Sequence, residues 1–232
     1  MAGVHINWRD WRWRWAVYFA AAIGDADCVK LFLDAGANVN SDGFIGFTAL
    51  HCACIKGYTD CVKFLLQAGA NISLRDDLGR TPLHFAAYYG HADCVKLLLE
   101  TEANNKNFLL PFREFFNKNL QDEWGYTALH VSAIQGHADC VKLLLNAGVA
   151  VNYQTTHQRA TAKGGDAVGS TALHLASNFG YANCVKLLLA AGANQNLHDR
   201  NGQTALQLAI FKEHADCIEL LLDTDNKHNG DI

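Results

Sequence analysis

The histidines and cysteines are the residues that could do chemistry, and they recur at fixed offsets. His51, His84, His130 and His174 each stand three residues behind a threonine, in Thr48-Ala49-Leu50-His51, Thr81-Pro82-Leu83-His84, Thr127-Ala128-Leu129-His130 and Thr171-Ala172-Leu173-His174. Thr204-Ala205-Leu206-Gln207 repeats the pattern with glutamine. Six of the 8 cysteines, Cys28, Cys61, Cys94, Cys140, Cys184 and Cys217, follow at spacings of 33, 33, 46, 44 and 33 residues. Thiols and imidazoles can form a nucleophile–base pair or hold a metal. A catalytic row needs a nucleophile or acid partner in the same register as each histidine, and none recurs. His51-Cys52-Ala53-Cys54 has ligand types that suit zinc, but residues two apart on a helix point in different directions and a fourth ligand is not evident. There is no phosphate-binding glycine loop, paired-carboxylate motif or Gly-x-Ser-x-Gly elbow. The expectation is a chain without catalytic activity, cofactor or metal.

The elements that carry these residues are copies of one stretch, clearest in His91-Ala92-Asp93-Cys94-Val95-Lys96-Leu97-Leu98-Leu99. Near-copies occupy Gly24–Leu33, Tyr58–Leu66, His137–Leu145, Tyr181–Leu189 and His214–Leu222. In the copy over 41–76, Thr48 is suited to cap a helix start. Gly57 can take the left-handed conformation that ends the first helix. Asp60 favours the first turn of a second helix, Val62, Leu65 and Leu66 face the stack, and Gly69 closes it. Pro82 fits the first helical position of the next copy.

A 33-residue period with Thr-x-Leu-His in front, a glycine in the middle and a Val-x-Leu-Leu-Leu run resembles ankyrin repeats over nearly the whole chain. The resemblance implies an all-α ankyrin-repeat solenoid of antiparallel helix pairs with projecting β-hairpin loops, two of them enlarged by insertions. Six repeats are expected near 10–40, 41–76, 77–107, 122–154, 168–198 and 199–223, stacked as a single domain over 1–232. The first is degenerate, with Val17-Tyr18-Phe19-Ala20-Ala21-Ala22 where the threonine element would stand. Insertions fall near 108–121, rich in phenylalanine and leucine, and near 155–167, which is polar. The resemblance also gives the recurrent histidine a structural hydrogen-bonding role. It places the cysteine where the pattern has valine, as a small buried hydrophobe. Neighbouring copies would lie about 10 Å apart, by analogy with other packed layers, beyond the ~7 Å limit for a disulfide.

Net charge of −4 argues against a general nucleic-acid or anionic-membrane binder. No run approaches the ~18 apolar residues of a membrane span, and the N-terminal segment does not read as a signal peptide. Cysteines in no secreted spacing pattern point to the cytoplasm or nucleus. Trp8, Trp11, Trp13 and Trp15 interleave with Arg9, Arg12 and Arg14. That segment reads as a cap over the first repeat, the alternative being a membrane-surface or nucleic-acid contact. A targeting or autoinhibitory module of a larger assembly is a further alternative.

The resemblance maps the usual binding positions onto Phe44, Ile45, Phe47, Ile55 and Lys56 in repeat two, and Leu78, Arg80, Tyr88 and Tyr89 in repeat three. In repeats four and five it reaches Trp124, Tyr126, Ile134, Gln135 and Phe179. Phe112 and Phe115 of the first insertion stand beside them. Exposed aromatic residues mark partner sites. The expected function is a non-catalytic adaptor or scaffold that receives a protein partner, an apolar peptide or helix, on the concave face and hairpin tips of repeats two to four. The chain itself is expected to be a monomer.

Overall fold

A computed structural model describes residues 11–104, 117–156 and 168–228. Two compact units divide the chain at residues 120 and 121. The first contains α1 (Trp11–Ile23), α2 (Ala26–Asp34), α3 (Ala49–Lys56), α4 (Thr59–Gln67), α5 (Pro82–Tyr88) and α6 (Ala92–Asn104). The second contains α7 (Ala128–Gln135), α8 (Ala138–Asn146), α9 (Ala172–Asn178), α10 (Ala182–Ala190), α11 (Ala205–Phe211) and α12 (Ala215–His228). In the first unit the inner helices pack in the order α1, α3, α5 and the outer helices in the order α2, α4, α6. The second unit repeats the plan with α7, α9, α11 and α8, α10, α12. Four outer helices, α4, α6, α8 and α10, set the cysteine, the valine and the middle residue of the apolar run inward: Cys61, Val62 and Leu65 are buried in α4, and Cys140, Val141 and Leu144 in α8. A three- or four-residue spacing puts these side chains on one helical face.

The connections are tight turns rather than strands. Among the described residues the single β-bridge is antiparallel, between Asp42 and Thr48. In three turns an aspartate folds back on its own backbone, the Asx geometry that stabilises a turn without a sheet. Asp76 accepts from the N–H of Leu78 at 3.1 Å and of Arg80 at 2.8 Å. Asp122 accepts from Trp124 and Tyr126, both at 2.9 Å. Asp199 accepts from Asn201 at 2.9 Å and Gln203 at 2.8 Å.

Both insertions sit differently from the sequence expectation. Thr155 takes the aspartate's place, its hydroxyl accepting from Ser170 N–H at 3.1 Å. Its backbone donates to Ser170 O at 3.0 Å and accepts from Gly169 N–H at 2.8 Å. Thr155 and Thr156 therefore belong to the turn, and the added residues begin at 157. The other insertion starts from α6. Where α4, α8 and α10 end before Ala-Gly, the third pair has Thr101-Glu102, with no glycine to adopt the left-handed stop. Helix α6 consequently runs 13 residues against 9 in those three. Residues 105–116, Phe112 and Phe115 among them, lie outside the described residues, as do 157–167 and Trp8 and Arg9.

The mid-repeat glycine answers to two constraints. Gly57 has φ 72° and Gly136 φ 76°, conformations that a Cβ disfavours. A Cβ at Gly57 would also lie 2.5 Å from His91 Nδ1, and one at Gly136 2.5 Å from the Tyr181 ring. The aromatic ring that opens the next outer helix thus occupies the space a side chain would need. Glu213 keeps the left-handed conformation, φ 59°, at the same position of the sixth pair. Gly57→Ala is expected to lower stability by about 2 kcal/mol in thermal or urea melts. In a His91→Ala background the added cost should fall to about 1 kcal/mol, the part owed to the backbone alone.

Candidate protein-interaction surface

The histidines and threonines form reciprocal caps. Thr48 N–H donates to His51 Nδ1 at 3.1 Å and Thr127 N–H to His130 Nδ1 at 3.1 Å. Thr81 with His84 and Thr171 with His174 do the same at 3.2 Å. A ring nitrogen that accepts from a backbone N–H carries no proton, so the hydrogen lies on Nε2. From there His51 donates to Arg80 O at 3.3 Å, His130 to Tyr153 O at 2.9 Å, and His174 to Leu197 O at 3.0 Å and Gln203 O at 3.1 Å. Each of these rings caps its own helix and ties it to the segment that leads into the next pair. Gln207 reproduces the capping half, its Oε1 accepting from Thr204 N–H at 2.9 Å. Burial disfavours the charged ring and holds His51 down to about 4; it also lowers His174.

The cysteines are equally committed to packing. None of the eight forms a disulfide, and all are buried except for the half-buried Cys28. Burial pushes the Cys61 and Cys184 thiols up to about 11, away from the thiolate that nucleophiles and metal ligands require. Among the described residues no group of three or more His, Cys, Asp or Glu could hold a metal ion.

The expected contact positions divide into packed and open ones. Tyr126 and Ile134, read from the sequence as exposed, are 7% and 9% accessible and belong to the core. Phe47 lies half-buried between His51 and Phe85, with ring centroids 5.6 and 5.3 Å away. Arg80 donates to Asp76 Oδ2 through Nε at 2.8 Å and Nη2 at 2.6 Å, with its guanidinium 4.5 Å from the Phe85 ring centre. That arginine braces its own turn. Leu78, Trp124, Gln135 and Ile55 are half-buried, and Ile55 O accepts from His91 Nε2 at 3.1 Å. Phe179 is half-buried and stacks on Tyr181 at 6.3 Å. Phe44 begins a 3-10 turn over Phe44–Gly46. In that turn Ile45 is 47% exposed and left-handed at φ 61°.

The open positions of the first unit are Ile45, Lys56, Tyr88 and Tyr89. Tyr88 and Tyr89 are 37% and 47% accessible, meet edge-to-face at 5.0 Å, and Tyr89 stacks on His91 at 6.3 Å. Contacts of this kind restrict the rings before any partner arrives. Large exposed apolar residues also occur where the sequence reading placed no site: Phe19, Ile23, Leu31 and Ile210. Comparing accessibility repeat by repeat was the signal that could have found them, and it needs coordinates.

Family models described as ankyrin repeats match residues 16–108 and 158–231, and a second such model matches 115–162. The chain belongs to the ankyrin-repeat family. An ankyrin repeat domain from Acinetobacter baumannii superposes with a TM-score of 0.73 at 28% identity, covering 90% of this chain and 96% of that one. Another ankyrin repeat protein of known structure gives 0.73 at 27% identity, with coverage of 90% and 96%. No curated protein matches the chain. Ankyrin repeats generally serve as protein–protein interaction modules and generally form non-catalytic scaffolds. No helix among the described residues is long and apolar enough to cross a membrane.

The neutral histidines give the array an acid limit. With the folded His51 ring at about 4 and the unfolded ring near its ordinary 6.5, the unfolded state binds more protons between those values. Stability is therefore complete above pH 6.5 and is lost as pH falls toward 4, by about 3 kcal/mol for this ring. Urea titrations at pH 7 and pH 4.5 should show the loss, and His51→Gln, which keeps a capping acceptor but cannot charge, should shrink it. An unchanged pH dependence in that variant would show that other groups set the acid limit.

Proposed function

We propose that this ankyrin-repeat chain is a non-catalytic adaptor that receives an apolar peptide or helix of a protein partner on the inner-helix ends and turn tips of its first unit. The observation that carries the reading is the Tyr88–Tyr89 pair. Two large aromatic side chains lie exposed side by side and are restrained by edge-to-face packing and by His91. Tyrosines offer wide amphipathic contact area and dominate interface energetics. Prior restraint of the rings lowers the ordering cost of binding. Lys56 and Ile45 add a charge and an apolar tip within the same unit. Ile45 supports the reading independently, because a β-branched residue is disfavoured at positive φ and a turn has no use for the exposed side chain. Eight cysteines in no secreted spacing pattern support a reducing compartment, cytoplasm or nucleus.

The test begins with the intact chain as bait in a lysate of source cells. A captured protein is then titrated against the purified chain and against Tyr88→Ala/Tyr89→Ala. Both residues are exposed, so the helical melt should be retained. Affinity for the partner is expected to fall at least 30-fold, the size of a hot-spot loss of about 2 kcal/mol. Equal affinity for both would remove the tyrosine pair from the site.

A further inference from the structure

The first unit separates its charges by layer. Its inner helices α1, α3 and α5 contain no aspartate or glutamate, and their charged residues are Arg12, Arg14 and Lys56. The helical carboxylates of the unit lie in the outer helices α2, α4 and α6. A chain of net charge −4 thus carries a cationic inner layer in this unit. Lys56 is exposed, and its charge is not spent within the fold. The outer-helix lysines Lys30, Lys63 and Lys96 each follow an aspartate by three residues, a spacing at which opposite charges offset each other. Lys30 also lies over the Phe64 ring at 5.6 Å. Lys56 has no carboxylate in its own helix. Among the described residues no ion pair, hydrogen bond or ring takes up its ammonium group.

Two observations set this cation beside the tyrosine pair. Lys56 and Tyr89 each stand directly before the mid-repeat glycine, Gly57 or Gly90, on helices α3 and α5 that pack together. His91 Nε2 donates to Ile55 O at 3.1 Å while the His91 ring stacks on Tyr89 at 6.3 Å. The Tyr89 ring is therefore tied to the residue that precedes Lys56. The Tyr89 hydroxyl, like the lysine, has no hydrogen-bond partner among the described residues. The turn carboxylates Asp42, Asp76 and Asp77 belong to the threonine end of the inner helices, and Asp76 is taken up by Arg80 at 2.6 Å. With 8 residues, α3 sets its two ends about 12 Å apart, so the open donors collect at the glycine end.

We propose that the apolar segment received at the tyrosine pair carries an aspartate or glutamate, whose carboxylate accepts from Lys56 Nζ and the Tyr89 hydroxyl while an adjacent apolar side chain lies on the two rings. A hydrogen bond from an ammonium to a carboxylate is charge-assisted. It also orients the segment, acidic residue toward the glycine end and away from the turn aspartates. A lysine or arginine at the same place would meet Lys56 as a like charge, which excludes basic segments. The chain's overall negative charge repels long acidic tracts at a distance, so one or two carboxylates within an apolar segment fit best. This partner chemistry rests on the tyrosine pair being the contact site.

A displayed library of random peptides, panned on the intact purified chain and on its variants, tests it, with circular dichroism melts to show that each variant folds. Peptides enriched on the intact chain should combine aspartate or glutamate with large apolar residues. Lys56→Ala should weaken a synthetic copy of such a peptide about fivefold, the upper range for an exposed ion pair, and should flatten the salt dependence of its binding. Lys56→Glu should enrich peptides with lysine or arginine in place of the acid. Apolar peptides that need Tyr88 and Tyr89 but show no excess of acids and no response to Lys56→Glu overturn the acidic partner and leave the contact site standing. Acidic peptides that bind Tyr88→Ala/Tyr89→Ala as well as the intact chain overturn the contact site and this proposal with it. A library that yields no peptide dependent on the pair overturns both, with a segment of this chain or a second copy as the alternative occupant.

Discussion

No helix pair of this protein can bury its own apolar face, and the rest of the structure follows from that constraint. The inner helices run 7 or 8 residues in α3, α5, α7, α9 and α11. Helices that short are marginal in water, because nucleation costs more than two turns of hydrogen bonds return. They persist because, within each unit, each pair lies against the next. The buried valines and leucines supply the apolar part of that contact. The histidines supply a directional part: each caps its own helix with Nδ1, and His51, His130 and His174 hold a carbonyl ahead of it with Nε2.

The same constraint explains the tolerance shown at the connections. Turn geometry is held by local bonds, an aspartate or threonine side chain and one or two backbone pairs. Residues can therefore be added beyond Thr156 without disturbing the stack, since the bonds on either side of the addition stay closed. The change at the end of α6 is of another kind. Loss of a single glycine lets the helix continue, because its stop depends on one residue that can turn left-handed.

Stacking also decides which side chains remain for recognition. Tyr126, in the turn before α7, and Ile134, on α7, lie in the core, while Tyr88 and Tyr89 stay open.

The repeating pattern alone determined the helical fold, because a threonine cap, a left-handed glycine and a three- or four-residue apolar spacing are local requirements written at fixed offsets. What the pattern could not determine was exposure. Phe47, Arg80, Tyr88 and Tyr126 look alike as candidate contact residues in the sequence. Phe47 is held between two rings, Arg80 is spent on Asp76 and Phe85, Tyr126 is buried, and Tyr88 is open. The difference comes from side chains 30 or more residues away, or from the turn that folds back on each residue, and such packing is settled only when the pairs are stacked.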